Sequence, residues 1–160
     1  MRATHLLHQD HEAVNALFGR FAQLPQQDGA GRQQLFDQIA DELEVHASLE
    51  EEIFYPALRR VSDRVEEAGR EHAEVKRLIG EIEGQDPASP EFDARVMELK
   101  RLVLHHVGEE EGPLFMDAAR LGPEELDRLG REMAERQEAL KTSLLQRGMR
   151  AAKRAARKIA

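Results

Sequence analysis

His46-Ala47-Ser48-Leu49-Glu50 and, sixty residues later, His106-Val107-Gly108-Glu109-Glu110 carry the same His-x-x-x-Glu pattern. On a helix, residues four apart share a face, so each pair aims an imidazole and a carboxylate at one small region. The spacing alone is weak evidence, because seven histidines and 31 acidic residues produce such pairs by chance; His8–Glu12 and His105–Glu109 show it too. The surrounding repeat discriminates among them. Placing His46 over His106 also places Leu43 over Val103, Glu50 over Glu110 and Glu51 over Glu111. At an offset of 61, His11 falls on His72, Val14 on Val75, Leu17 on Leu78, Phe18 on Ile79 and Gly19 on Gly80. His5, His8 and His105 have Glu66, Gly69 and Val45 as counterparts and do not recur. The chain therefore reads as two copies of a helical hairpin. Each copy carries one histidine in its first helix and a His-x-x-x-Glu in its second.

The rest of the sequence agrees with helices. Leu, Ala, Glu, Arg and Gln dominate, and no stretch alternates as a strand would. Apolar residues recur at three- and four-residue steps from about Thr4 to Leu24, Arg32 to Arg60, Asp63 to Glu83, Ser89 to about residue 120 and Pro123 to Gln146. Pro25 and Asp28-Gly29-Ala30-Gly31 break the first segment from the second, and Pro56 should kink or end the second. Asp63 with Glu66 predicts a capping box, and Ser89-Pro90 a serine cap with proline in the first turn. Gly108, Gly112 and Pro113 predict a bend in the fourth segment. The expected fold is all-α: an antiparallel up-down-up-down four-helix bundle over residues 1–120, with an additional C-terminal helix over 121–147 and a basic tail over 148–160.

With 160 residues, 41% hydrophobic and 34% charged, the chain suits one folded domain and no bilayer span. It shows no secretory leader and no cysteine, which predicts a cytoplasmic protein whose metal sites use nitrogen and oxygen only. With 4% aromatics and no Trp, a base-stacking nucleic-acid surface is not expected. No phosphate-cradling glycine loop and no nucleophile-elbow serine occurs. The net charge is −8, yet Arg147, Arg150, Lys153, Arg154, Arg157 and Lys158 crowd the last residues, a stripe suited to an acidic partner or anionic surface.

The informative constellation is thus His11, His46, Glu50, His72, His106 and Glu110, four imidazoles and two carboxylates directed into a bundle core. Such a set suits a pair of metal ions, with the carboxylates bridging; non-haem iron fits best, and manganese or zinc fits the same donors. A second register using His105 and Glu109 points about 100° away. Glu12, Glu51, Glu52, Glu109 and Glu111 read as a solvated acidic face, and His8 as a partly exposed neighbour. Tyr55, five residues after Glu50, lies far round a regular helix, so it reads as a packing or redox neighbour unless the helix is distorted near Pro56.

The stretches Asp10-His11-Glu12, His46 to Pro56, Glu71-His72 and His106 to Met116 resemble the haemerythrin family, in its bacterial HHE cation-binding branch, over about residues 4–118. The resemblance implies two irons with an oxo or hydroxo bridge. His11 and His46 would hold one, His72 and His106 the other, and Glu50 and Glu110 would bridge them. It departs at Lys76, where oxygen-carrying members have a further histidine. A protonated lysine does not replace that ligand. The departure favours exogenous ligands such as dioxygen, peroxide or nitric oxide, handled in sensing, detoxification or redox chemistry. The alternative is a non-enzymatic iron store or iron- and oxygen-responsive module that signals to a protein partner.

Overall fold

The computed structural model describes the backbone of residues 1–159 and the side chains of residues 1–149. Seven α-helical segments follow one another: α1 (Ala3–Gln23), α2 (Gly29–Leu49), α3 (Tyr55–Leu58), α4 (Val65–Glu83), α5 (Pro90–Glu109), α6 (Phe115–Ala118) and α7 (Pro123–Ile159). Two π-helical turns, Glu50–Phe54 and Glu110–Leu114, join α2 to α3 and α5 to α6, so each functions as one long rod with a wide turn inside. No strand occurs among the described residues. The architecture is the expected four-helix bundle with α7 laid along α1 and α2. The basic side chains from Arg150 onward lie outside the described residues.

The termini show where local signals prevail. Ser89 caps α5, its hydroxyl accepting from the Phe92 amide at 3.2 Å. The Asp63–Glu66 box does not form: α4 begins after Arg64 without a side-chain cap. The Ser62 hydroxyl instead accepts from the Arg64 amide and donates to Asp117 at 2.6 Å. Asp28 is not loop punctuation but the cap of α2, accepting from Gly31 at 3.0 Å, so the helix starts three residues earlier than expected. Pro56 does not end the second rod. It sits in the first turn of α3, where its missing N–H costs little.

The interior has three layers. One apolar cluster includes Leu7, Leu49, Phe54, Leu58, Leu114, Leu129 and Met133. The other includes Phe18, Phe21, Phe36, Ile39, Leu78, Phe92 and Leu99. Between them along every rod lie the six polar residues of the repeat, each less than a tenth exposed. A further buried charge, Arg32, is pinned at the far end. Its guanidinium lies 4.6 Å from the Phe21 ring centre and bonds Pro87 O at 3.0 Å and Asp93 at 2.8 Å. That pairing makes it a tie between α2 and the loop before α5.

α7 meets the start of the chain closely. A Cβ on Gly130 would stand 1.9 Å from the Met1 carbonyl oxygen and 2.9 Å from the Ala3 amide nitrogen. Gly130→Ala is expected to force α7 off α1 and lower the unfolding free energy by about 1–3 kcal/mol. Urea denaturation measures this, and an unchanged midpoint would show that the contact yields freely.

Candidate metal centre

The repeat brings all six predicted side chains together. Six donor distances define the centre. His11 Nε2 is 3.1 Å from His46 Nε2 and 3.0 Å from Glu110 Oε1. His72 Nε2 is 3.2 Å from His106 Nε2 and 3.0 Å from Glu50 Oε1. Glu50 Oε1 also lies 3.1 Å from His46 Nε2, so this carboxylate touches both histidine pairs. Glu110 does the same, its other oxygen lying 3.3 Å from His106 Nε2. Two groups, His11–His46–Glu110 and Glu50–His72–His106, each bring three donor atoms within 4.8 Å of one another. The two halves are near copies: in each, the imidazole rings are 4.7 Å apart and inclined by 63°.

A second ring of carboxylates faces the outer ring nitrogens. His46 Nδ1 meets Asp10 at 3.1 Å, His106 Nδ1 meets Glu71 at 2.9 Å, and His72 Nδ1 meets Glu51 at 3.3 Å. His11 Nδ1 lies 3.4 Å from Glu111, outside hydrogen-bond alignment. Carboxylate partners fix the proton on Nδ1 and leave the Nε2 lone pair facing inward, as in metal-ligating histidines generally. Glu51 and Glu111 are therefore not simply a solvated face; both reach inward to a buried imidazole. The repeat itself carried the signal, since Asp10 falls over Glu71 and Glu51 over Glu111. Gln137 on α7 was not foreshadowed. It donates to both Asp10 oxygens, at 3.0 and 3.2 Å.

The remaining histidines stay outside. His8 is half exposed and contacts Glu111 and Glu12. His105 is two-thirds exposed, 3.4 Å from Glu71, and the His105–Glu109 register turns away from the core.

Tyr55 is the main departure from expectation. The π turn inserts one residue's worth of rotation after Glu50. That swings the phenol into the core, where it is 3% exposed. Its hydroxyl donates to Glu110 at 2.7 Å and lies 3.2 Å from His72 Nε2 and 3.5 Å from His106 Nε2. The equivalent position in the other half is Phe115, whose ring stacks 6.5 Å from that of His11. One half thus has a phenolic oxygen where the other has only a phenyl ring.

The charges are mutually dependent. Burial opposes a charged His106, but Glu110 and Glu50 outweigh it and push the imidazole up to about 11. Burial likewise opposes a charged His46, which Glu50 and Asp10 hold well above the imidazole range. Glu50, despite its burial, is held well below the carboxylate range, chiefly by His46. Burial and the nearby carboxylates raise the Tyr55 phenol. The interior is thus a nest of lone pairs and anions that needs positive charge, supplied by protons or by cations. Glu50 Oε2 has no hydrogen-bond partner at all.

The Hemerythrin HHE cation binding domain family matches residues 2–118. The chain belongs to this family. A protein of Nostoc sp. named DNA nickase is 37% identical over 117 residues, which are 72% of this chain and 33% of that protein. The chain thus spans a third of that relative's length. The uncharacterized protein Rv2633c of Mycobacterium tuberculosis is 24% identical over 147 residues, covering 91% of each chain. The crystal structure of the Hemerythrin HHE cation binding domain-containing protein from Mycobacterium kansasii, described as an Rv2633c homolog, superposes with a TM-score of 0.83. It is 25% identical, again over 91% of each chain. The HHE protein described here therefore has a haemerythrin-like helical fold, with His and Glu groups that could hold metal.

The sign of the pH dependence follows for the metal-free chain. The raised histidines stabilise it below their ordinary value of 6.5, and that contribution is lost as pH climbs toward about 11. The lowered glutamates stabilise it above 4.5 and cease to do so in acid. Urea midpoints in chelator should therefore be highest near about pH 5–6 and fall steadily toward about pH 9. A midpoint that rises over that interval would contradict the charge assignment.

Proposed function

We propose that the HHE protein holds two non-haem iron ions and uses them to bind dioxygen, peroxide or nitric oxide. The observation that carries this is the convergence of four Nε2 atoms and two carboxylates whose outer nitrogens already face acids. In this reading His11 and His46 hold one ion, His72 and His106 the other, and Glu50 and Glu110 span both. Manganese or zinc would meet the same donors, but mixed imidazole and carboxylate ligation suits iron.

Lys76, at the position of the histidine present in oxygen-carrying members, lies exposed on the wall of a cleft and forms no ion pair among the described residues. Tyr55 stands at the His72–His106 half instead and adds a phenolic oxygen to the carboxylates already there. When bound, the iron pair supplies redox equivalents and open coordination positions. The chain's part is to orient the imidazoles through Asp10, Glu51 and Glu71, to hold the bridging carboxylates dry, and to place the Tyr55 hydroxyl beside Glu110. A phenol ligand on one side only makes the halves chemically unlike, which favours ligand turnover over simple reversible carriage. No helix among the described residues is long and apolar enough to cross a membrane.

Anaerobic ferrous loading followed by iron analysis is expected to give two irons per chain, with near-ultraviolet charge-transfer absorption after exposure to air. Glu50→Ala or Glu110→Ala should leave at most one. A wild-type chain that retains none would refute the reading, and a stable, fully reversible oxygen adduct in stopped flow would refute the turnover part. Tyr55→Phe should keep both irons and lose a visible phenolate band; an unchanged spectrum would return Tyr55 to a packing role.

A further inference from the structure

A cleft of about 740 Å³ runs between the two hairpins and reaches all four inner histidines. Its apolar wall comes from Val14, Leu43, Val75, Ile79, Val103 and Val107. Its charged residues are unbalanced: Asp10, Asp41, Glu44, Glu51 and Glu83 stand against Lys76 alone. Burial raises the Asp41 carboxyl, and neighbouring Glu44 and Asp37 add to the rise while Arg147 opposes it. Arg147 lies 3.8 Å from Glu44 at this rim, with both side chains more than half exposed. A smaller opening of about 220 Å³ also reaches His106 and Glu110, and there Glu67, Glu71 and Glu109 outnumber Arg64. Deeper in, four further carboxylates, Asp10, Glu51, Glu71 and Glu111, surround a donor set that already includes Glu50 and Glu110.

We propose that this cleft is a charge-selective approach that passes uncharged small molecules to the metal pair and turns anions away. The inference rests on the two-metal reading above and narrows its ligand class to neutral species such as nitric oxide, hydrogen peroxide and dioxygen. Clefts lined by one sign of charge change association rates by factors of about 10 to 1,000, and salt screens the effect over about 10 Å at 0.1 M. The apolar walls let a neutral molecule pass without that barrier. Among the described residues lining the cleft, Lys76 is the charge that offsets the repulsion.

The test uses the iron-loaded full chain at about pH 8, with azide as the anionic probe and nitric oxide as the neutral one. Azide association should accelerate as salt is added, whereas nitric oxide association should not change. The triple change Asp41→Asn, Glu44→Gln, Glu83→Gln should speed azide about tenfold at low salt. Lys76→Met should slow it, and both variants should leave nitric oxide within about twofold of wild type. A control triple change away from both openings, Glu91→Gln, Glu124→Gln, Glu138→Gln, removes the same charge and should move azide by less than about twofold. Azide rates that fall with salt, ignore the cleft variant or respond equally to the control would overturn the inference. Iron content and the nitric oxide adduct are read in the same samples. A chain that loads two irons and binds nitric oxide but fails the azide comparison refutes the selectivity alone; a chain that loads no iron refutes the metal reading beneath it.

Discussion

The chief constraint on the interior is the burial of six ionisable side chains at one level. Placing four imidazoles and two carboxylates between two apolar layers is costly unless every lone pair meets a positive partner. The bundle accepts this cost at a single level, where all four long helices contribute, and surrounds it with Leu, Phe and Ile on either side. Everything else near the centre serves that charge balance. Acids adjacent in sequence to the donors hold the outer ring nitrogens, and α7 holds one of those acids in turn through Gln137. The layer also explains why the two apolar cores do not merge. A polar plane divides them, and whatever charge occupies that plane couples the halves.

The repeated hairpin accounts for the order in this plane. Duplication supplies matching rings, matching carboxylates and matching outer acids at a constant spacing, so the two halves meet around a pseudo-twofold axis. Function enters where the symmetry is broken. Tyr55 is matched by Phe115, Gln137 braces Asp10 while the exposed His105 stands beside Glu71, and α7 lies mainly along α1 and α2.

Much of this was legible in the sequence because helical periodicity and the repeat report on the same residues. His11, His46, Glu50, His72, His106 and Glu110 recur at offsets of 60 and 61 within amphipathic segments, and those two facts together require them to share one interior level. The Ser89-Pro90 start was legible for an equally local reason. Tyr55 was not, because a period of 3.6 residues places it on the wrong side and nothing in the composition announces a π turn. The Asp63 cap failed because Ser62 is drawn to Asp117, a partner 55 residues away. Gln137 lies 127 residues from Asp10, beyond any local pattern. Arg32 reads as a polar helix start until Phe21, Phe92 and Asp93 are seen to enclose it.

The wide turns after Glu50 and Glu110 also divide the chain into places where length is free and places where it is not. His11 and His46 are separated by 35 residues and their counterparts His72 and His106 by 34, yet the rings meet alike, because the connecting loops absorb the difference. A residue removed from Glu50–Phe54 would convert the wide turn into an ordinary one and leave Tyr55 four places after Glu50, still on the same face. A residue removed from the middle of Gly29–Leu49 has neither loop nor wide turn to absorb it, and would rotate one end of that helix by about 100° against the other.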